Sequence, residues 1–256
     1  MSKEIQSWLE GYVGALSLTF DDGRPNQVEK AVPILNDLGF KGTFYVCPSG
    51  DNWADKLSPW IDVYKQGHEI GNHTVSHICS RALSPNRIDK CLENMTLSDI
   101  EEDIIKASQR IRLLLPDQES FTFCYPCYNN HVGYGSTRQS YVPIVAKHFP
   151  AARGIGEFPF GNYPATCDLH YLWSWPVEGR SGIELVGLAE RTATYNQWGI
   201  MTIHGIDDGG NLSLSMSAFR ELCDFLNRNR NRIWVAPVID VAQKIINWRK
   251  KVGISD

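Results

Sequence analysis

Gly14-Ala15-Leu16-Ser17-Leu18-Thr19-Phe20-Asp21-Asp22-Gly23 is the stretch on which the reading of the fold turns. Its apolar run through Leu18 has strand length, lies between chain-turning Gly and Pro residues, and predicts a buried strand. Asp21 and Asp22 then arrive at the C-terminal end of that strand, where Gly23 and Pro25 turn the chain. In an α/β barrel that end is the catalytic face, because the loops leaving the strands gather there. Adjacent carboxylates repel and lose solvation unless a cation or a proton offsets the cost. Standing alone, the pair reads equally well as a turn that caps a helix beginning near Asn26.

Outward from this stretch, strand and helix alternate along the chain. Helical spacing runs from Gln27 to Leu38 with Gly39 as its C-cap, and residues 42–46 are β-branched and aromatic. A helix is expected from Leu57 to Gln66, then a short strand from His68 to Gly71. Ser98 and Glu101 read as the capping box of the clearest helix, with Ile100, Ile104, Ala107, Ile111 and Leu114 along one face. Further strands are expected at 121–124, 152–155, 171–175, 199–204 and 233–236. Helices are expected at 143–149, 183–195, 215–228 and 238–250. The polar stretch 128–140 reads as a long loop. Such alternation, without repeats or an evident linker, argues an α/β fold with a parallel sheet in a single domain, residues 1–256.

Composition narrows the function classes. A chain of 256 residues can bury a sizeable core, and its net charge of −4 supplies no basic field for nucleic acid or an anionic membrane. No apolar run approaches the roughly 18 residues of a membrane span, and residues 1–10 lack the features of a secretory signal. Seven Cys is an odd number without repeated spacing, which argues against a disulfide framework and for free thiols in a reducing, cytoplasmic home, unless a leader has been removed.

Three strand ends carry chemistry. Asn72-His73-Thr74-Val75-Ser76-His77 places two His four apart, a spacing that puts both imidazoles on one face of a helical turn. One carboxylate with two imidazoles makes a facial metal site with open positions, and Zn²⁺ or a similar divalent ion there lowers the pKa of bound water. His204 ends the strand 199–204 and is placed to protonate a leaving amine or alkoxide.

Leu18-Thr19-Phe20-Asp21-Asp22-Gly23, His73-Thr74-Val75-Ser76-His77 and Ile200-Met201-Thr202-Ile203-His204 resemble the first, second and fifth motifs of the polysaccharide deacetylase family, carbohydrate esterase family 4. Residues 233–242 are similar to the family's last strand and helix, so the resemblance spans about residues 14–248. It implies a distorted (β/α) barrel of seven or eight parallel strands. It also implies a metal-dependent hydrolase that removes acetyl groups from an N-acetylated, or O-acetylated, sugar polymer or oligosaccharide. By position, Asp22, His73 and His77 would hold the metal, probed first as Zn²⁺. Asp21 would be the base that activates metal-bound water, and His204 the general acid.

The third motif departs from the family. Phe123-Cys124-Tyr125-Pro126-Cys127-Tyr128 keeps Pro126 but has Cys124 where many members carry the Arg that braces the catalytic Asp. The Cys127 amide remains available as an oxyanion donor, with Tyr125 beside it, because a backbone N–H survives side-chain changes. The bracing charge would have to come from Arg24, Arg153 or Arg180. For the fourth motif, which tunes the general acid, Asp168, Trp173 and Trp175 are the nearest candidates. Cys124 and Cys127 form a C-x-x-C that is better read as an altered family motif than as a redox or zinc motif, and Cys79 reads as a packed thiol. Two other functions fit the same residues: a cytoplasmic C–N hydrolase of a small amide, cyclic imide or ureide, and a non-catalytic carbohydrate-binding relative. The expected partner is an acetylated carbohydrate, with neither nucleic acid nor membrane.

Overall fold

The computed structural model describes residues 7–83 and 89–254. Its strands are β1 (Gly14–Phe20), β2 (Thr43–Val46), β3 (Glu69–Asn72), β4 (Phe123–Cys124), β5 (His131–Val132), β6 (Gln139–Ser140), β7 (Ala152–Arg153), β8 (Trp175–Pro176), β9 (Trp198–Ile203), β10 (Gly205–Ile206), β11 (Ser213–Leu214) and β12 (Ile233–Val235). The α-helices are α1 (Val32–Asp37), α2 (Trp53–Leu57), α3 (Pro59–Lys65), α4 (Leu97–Leu114), α5 (Val142–His148), α6 (Gly182–Thr194), α7 (Met216–Arg228) and α8 (Val238–Val252).

Eight strands make one parallel sheet in the order β7-β4-β3-β2-β1-β9-β8, with β12 also on β1. β12 pairs with the first half of β1, at Gly14, Ala15 and Leu16, while β2 pairs with its end, at Thr19 and Phe20. The far edges meet through a parallel bridge between Arg153 and Leu172, which bends the sheet into the expected distorted barrel. Two small sheets, β5–β6 and β10–β11, lie outside it.

Every residue of β1 is buried, as its apolar run requires. Side chains alternate across a strand, and those of β1 divide accordingly. Leu16, Leu18 and Phe20 join a core cluster with Leu185 and Leu188 of α6 and Phe219 and Leu222 of α7. Ala15 instead joins Trp198, Ile200 and the α8 residues Val241 and Ile245. Ser17, Thr19 and Asp21 share the second face, so parity alone turns Asp21 inward.

Several boundaries differ from those the sequence suggests. α4 is capped two residues earlier than expected: Thr96 is the N-cap, and its hydroxyl and Asp99 form the capping box. The helix expected from Gln27 begins as a π turn, Gln27–Ala31, before α1. Strand 171–175 shrinks to β8 plus the Leu172 bridge, because the chain there serves as the seam of the barrel. Among the described residues no helix is long and apolar enough to cross a membrane.

Phe20 stacks on Phe44 at 4.7 Å and meets the edge of Phe219 at 6.1 Å. Phe20→Ala is expected to lower the unfolding free energy by about 3–5 kcal/mol in urea denaturation. A loss below about 1 kcal/mol would mean that β1 is not the packed centre of the fold.

Candidate active site

The site lies at the C-terminal ends of β1, β3 and β9. Asp22 leaves β1 with φ 73°, in the left-handed region that non-Gly residues rarely enter. This turn separates two neighbouring carboxylates: Asp21 points into the barrel and Asp22 toward the loop after β3. One oxygen of Asp22 pairs with Arg24 at 3.0 Å, and Arg24 also reaches Asp208 at 3.0 Å. The other lies 3.7 Å from His73 Nε2 and 3.4 Å from His77 Nε2.

The two imidazoles meet without the helical turn their spacing suggests. Residues 73–77 form a bend with Thr74 at φ 60° and His77 at φ 45°. Asn72 builds it: its Oδ1 accepts from the Thr74 amide at 2.8 Å, and its Nδ2 donates to Ile104 O and Ser108 Oγ of α4. Thr74 Oγ1 then accepts from the His77 amide at 3.0 Å. The rings come to rest 4.7 Å apart, edge to face. Left-handed non-Gly residues gather at functional sites where surrounding structure over-determines them.

The residues present fit a divalent metal ion. The three ligand atoms of Asp22, His73 and His77 lie within 4.8 Å of one another. Donors sharing one tetrahedral zinc at bond lengths of about 2.0–2.1 Å stand about 3.3–3.5 Å apart, close to the spacings seen here. His73 Nδ1 lies 2.9 Å from Cys124 O, so the ring donates there and leaves the Nε2 lone pair facing Asp22. Burial, with the neighbouring His77, lowers the His73 pKa to about 4 and keeps it in the neutral, ligating form.

Asp21 is held differently. Burial alone would raise its pKa, but the Arg153 guanidinium, with His73 and His204, holds the carboxyl well below the usual carboxylate range. Arg153 Nη2 donates to Asp21 Oδ1. Arg153 also donates to Thr202 Oγ1 at 2.8 Å and packs over the Tyr45 ring at 5.2 Å. Of the three arginines considered for this task, Arg153 is the one in contact. It stands opposite Cys124 in the β4–β7 register, one strand from the family position. The buried Cys124 thiol donates weakly to Asp21 Oδ2 at 3.6 Å.

His204 Nε2 faces Asp21 Oδ2 at 3.9 Å, and its Nδ1 binds Glu178 Oε1 at 2.6 Å. Burial opposes the charged ring, but the Glu178 hydrogen bond and the charges of Asp21 and Asp22 raise its pKa above the ordinary value. Gln27 ties the two strand ends together, donating to Asp21 O at 2.6 Å and His204 O at 2.7 Å. A groove of about 1110 Å³ opens beside Asp22 and His77, lined also by Cys47, Ser49 and Lys90.

The family model described as polysaccharide deacetylase matches residues 13–138, which hold the first three motifs. Over these residues the chain matches the polysaccharide deacetylase family. It is 24% identical over 94% of its length to a gellan lyase of a Bacillus species. It is 34% identical over 40% of its length to a chitin deacetylase of Arthroderma benhamiae. It spans only 10% and 28% of the length of these two relatives. A solved structure, the Xyl-CE4 domain of a multidomain xylanase from the hindgut metagenome of Trinervitermes trinervoides, shares the fold, with TM-score 0.57, 18% identity and 90% of both chains covered.

Other residues singled out by the resemblance lie elsewhere. Asp168 is not the partner of His204: it accepts from the His170 amide and lines a separate groove of about 600 Å³ beside Phe149 and Pro150, which precede β7. Glu178 takes the place proposed for it, two residues past β8, and the rule that found His204, a polar residue just beyond a strand end, points to it as well. Trp175 is buried, with Nε1 donating to Phe160 O, and a Cβ on Gly199 would lie 2.6 Å from its ring. Tyr125 is likewise a core residue whose hydroxyl donates to His170 O. Cys127 sits at φ 51° in the turn after Pro126.

The expectation of free thiols is corrected for one pair. Cys79 and Cys127 form a disulfide, Cα atoms 5.7 Å apart, that ties the His77 loop to the turn after β4; Cys47, Cys91, Cys124, Cys167 and Cys223 are not disulfide-bonded. Sequence separation hid the pairing: 48 residues divide the two, and only the parallel register of β3 and β4 brings their loops together. Closing such a loop stabilises the fold by about 4 kcal/mol through chain entropy. The inference of a reducing home, which rested on free thiols, loses that support.

Divalent-metal binding tests the Asp22-His73-His77 cluster. Calorimetry with Zn²⁺ is expected to show one site in the wild type, lost in His73→Ala and Asp22→Ala and retained in Asp21→Asn. Equal binding by all four proteins would place the metal elsewhere.

Proposed function

We propose that the chain is a metal-dependent hydrolase that removes acetyl groups from an N-acetylated, or O-acetylated, sugar polymer or oligosaccharide. The observation that carries this reading is the juxtaposition of three donors suited to one cation with a braced carboxylate and a carboxylate-paired imidazole. The resemblance to chitin deacetylase and the roomy groove beside Asp22 favour a carbohydrate chain as substrate.

Asp22, His73 and His77 would hold the ion, with zinc as the first candidate from the donor set. When bound, a divalent ion acidifies water and polarises the acetyl carbonyl. Arg153 occupies Asp21 Oδ1, so Oδ2, which takes only the weak Cys124 thiol contact at 3.6 Å, is the oxygen placed to accept the proton of the attacking water. The same ion pair keeps Asp21 anionic and fixes its plane, sparing reorganisation during reaction. His204, kept protonated by Glu178, donates to the departing nitrogen or oxygen. The Cys127 amide is the proposed donor to the tetrahedral oxyanion.

Acetate release from chitooligosaccharides, peptidoglycan fragments and acetylated xylan tests the reading. His204→Ala is expected to lower kcat/KM by about 10²–10⁴-fold. A raised His204 pKa places the alkaline limb of kcat/KM above the ordinary histidine value, because the acid form is lost as pH rises. Glu178→Gln removes the charge that favours the imidazolium, so this limb is expected to move toward lower pH. An unmoved limb would remove His204 from the role of acid, and no acetate from any of the substrates would overturn the proposed reaction.

A further inference from the structure

His77 faces two sets of donors. Its Nε2 points to Asp22 Oδ1, while its Nδ1 lies 3.8 Å from the sulfur of Cys79, which is bonded to Cys127. The ligand atoms of His77, Cys79 and Cys127 also lie within 4.8 Å of one another, two of them as the bonded sulfurs. One imidazole thus belongs to both groups, through opposite nitrogens. In the oxidised protein the two sulfurs are bonded to each other and are poor ligands, since it is the thiolate that binds metal.

We propose that the Cys79–Cys127 disulfide masks a second cation site, a Cys₂His set for zinc or a similarly thiophilic ion, and that a dithiol reductant unmasks it. The reductant's thiolate attacks Cys127 Sγ, the half-buried partner; Cys79 is 5% exposed. Its second thiol then closes on the mixed disulfide. Two electrons and two protons pass to the protein, leaving Cys79 and Cys127 as thiols and the reductant as a disulfide. On taking up the ion, each thiol releases its proton to solvent, and His77 binds through Nδ1.

A neutral imidazole carries one lone pair, so ligation through Nδ1 leaves Nε2 protonated. His77 then faces Asp22 as a hydrogen-bond donor and is withdrawn from the first metal set. The redox state of the pair therefore decides which nitrogen of His77 is available as a ligand. This consequence for His77 rests on the metal reading under Proposed function; the thiolate site does not.

The test uses the full chain, Co²⁺ alone as the probe, and absorption spectroscopy. Oxidised wild type is expected to bind Co²⁺ without a sulfur-to-cobalt charge-transfer band. Protein reduced with a dithiol, separated from it, and shown by thiol titration to have gained two thiols is expected to gain that band. The band should be absent from Cys79→Ser/Cys127→Ser in either state and should persist in reduced Asp22→Ala/His73→Ala. No band from the reduced wild type would overturn the proposal. So would a band that survives in the double serine variant, which would belong to another thiol such as Cys124. Failure of the first metal set is read separately, as no Co²⁺ uptake by oxidised wild type. Cys79→Ser alone, with circular dichroism matching wild type, guards against a double variant that does not fold; it is expected to lose the band, and retention would overturn the proposal.

Discussion

The ion pair between Arg153 and Asp21 joins the fold to its chemistry. Both side chains are buried, and two charges leave water at a cost that only close pairing and further hydrogen bonds offset. Arg153 meets that condition by reaching Asp21 after β1, Thr202 on β9 and Ser174 beside β8. It stands on β7, the strand that meets the Leu172 segment and closes the barrel. The pair thus ties β7, at one edge of the sheet, to the end of β1 in its middle, so the order of the strands sets the orientation of the carboxylate.

The same economy explains the adjacent carboxylates. A left-handed residue at Asp22 sends the neighbouring side chains to different partners: Arg153 for Asp21, and Arg24 with the two imidazoles for Asp22. The guanidinium of Arg153 on one side and that of Arg24 on the other offset the repulsion that makes the pair costly in isolation. The strained backbone at Thr74 and His77 is held by Asn72, itself anchored on α4, so the geometry of the ligands is set one element away from them.

The sequence made much of this visible. Alternating strand and helix patterns disclosed the parallel sheet, and the family resemblance its curvature into a distorted barrel. Asp21, Asp22 and His204 stood out at the ends of strands whose apolar pattern is plain, His73 and His77 by their spacing, and all five by their likeness to the family's motifs. What stayed hidden depends on which strands become neighbours. Arg153 was one of three equivalent arginines until the β4–β7 register placed it opposite Cys124. Glu178, two residues past β8, was passed over for Asp168 because the resemblance pointed to an Asp in a Trp-rich region and not to a Glu after the strand. The disulfide joins loops whose proximity is a property of the sheet, not of spacing. The two His were rightly paired for the wrong local reason: hydrogen bonds of Asn72 and Thr74, not a helical turn, bring them together.

The coupling free energy between Arg153 and Asp21 tests the central claim most directly. It is obtained from the stabilities of wild type, Arg153→Met, Asp21→Asn and the double variant in chemical denaturation. Arg153→Met leaves a buried carboxylate without its partner and should cost about 3–5 kcal/mol, much of which returns when Asp21→Asn is added. Losses that simply add would mean that Arg153 does not brace Asp21, and the account of the site would fail with it.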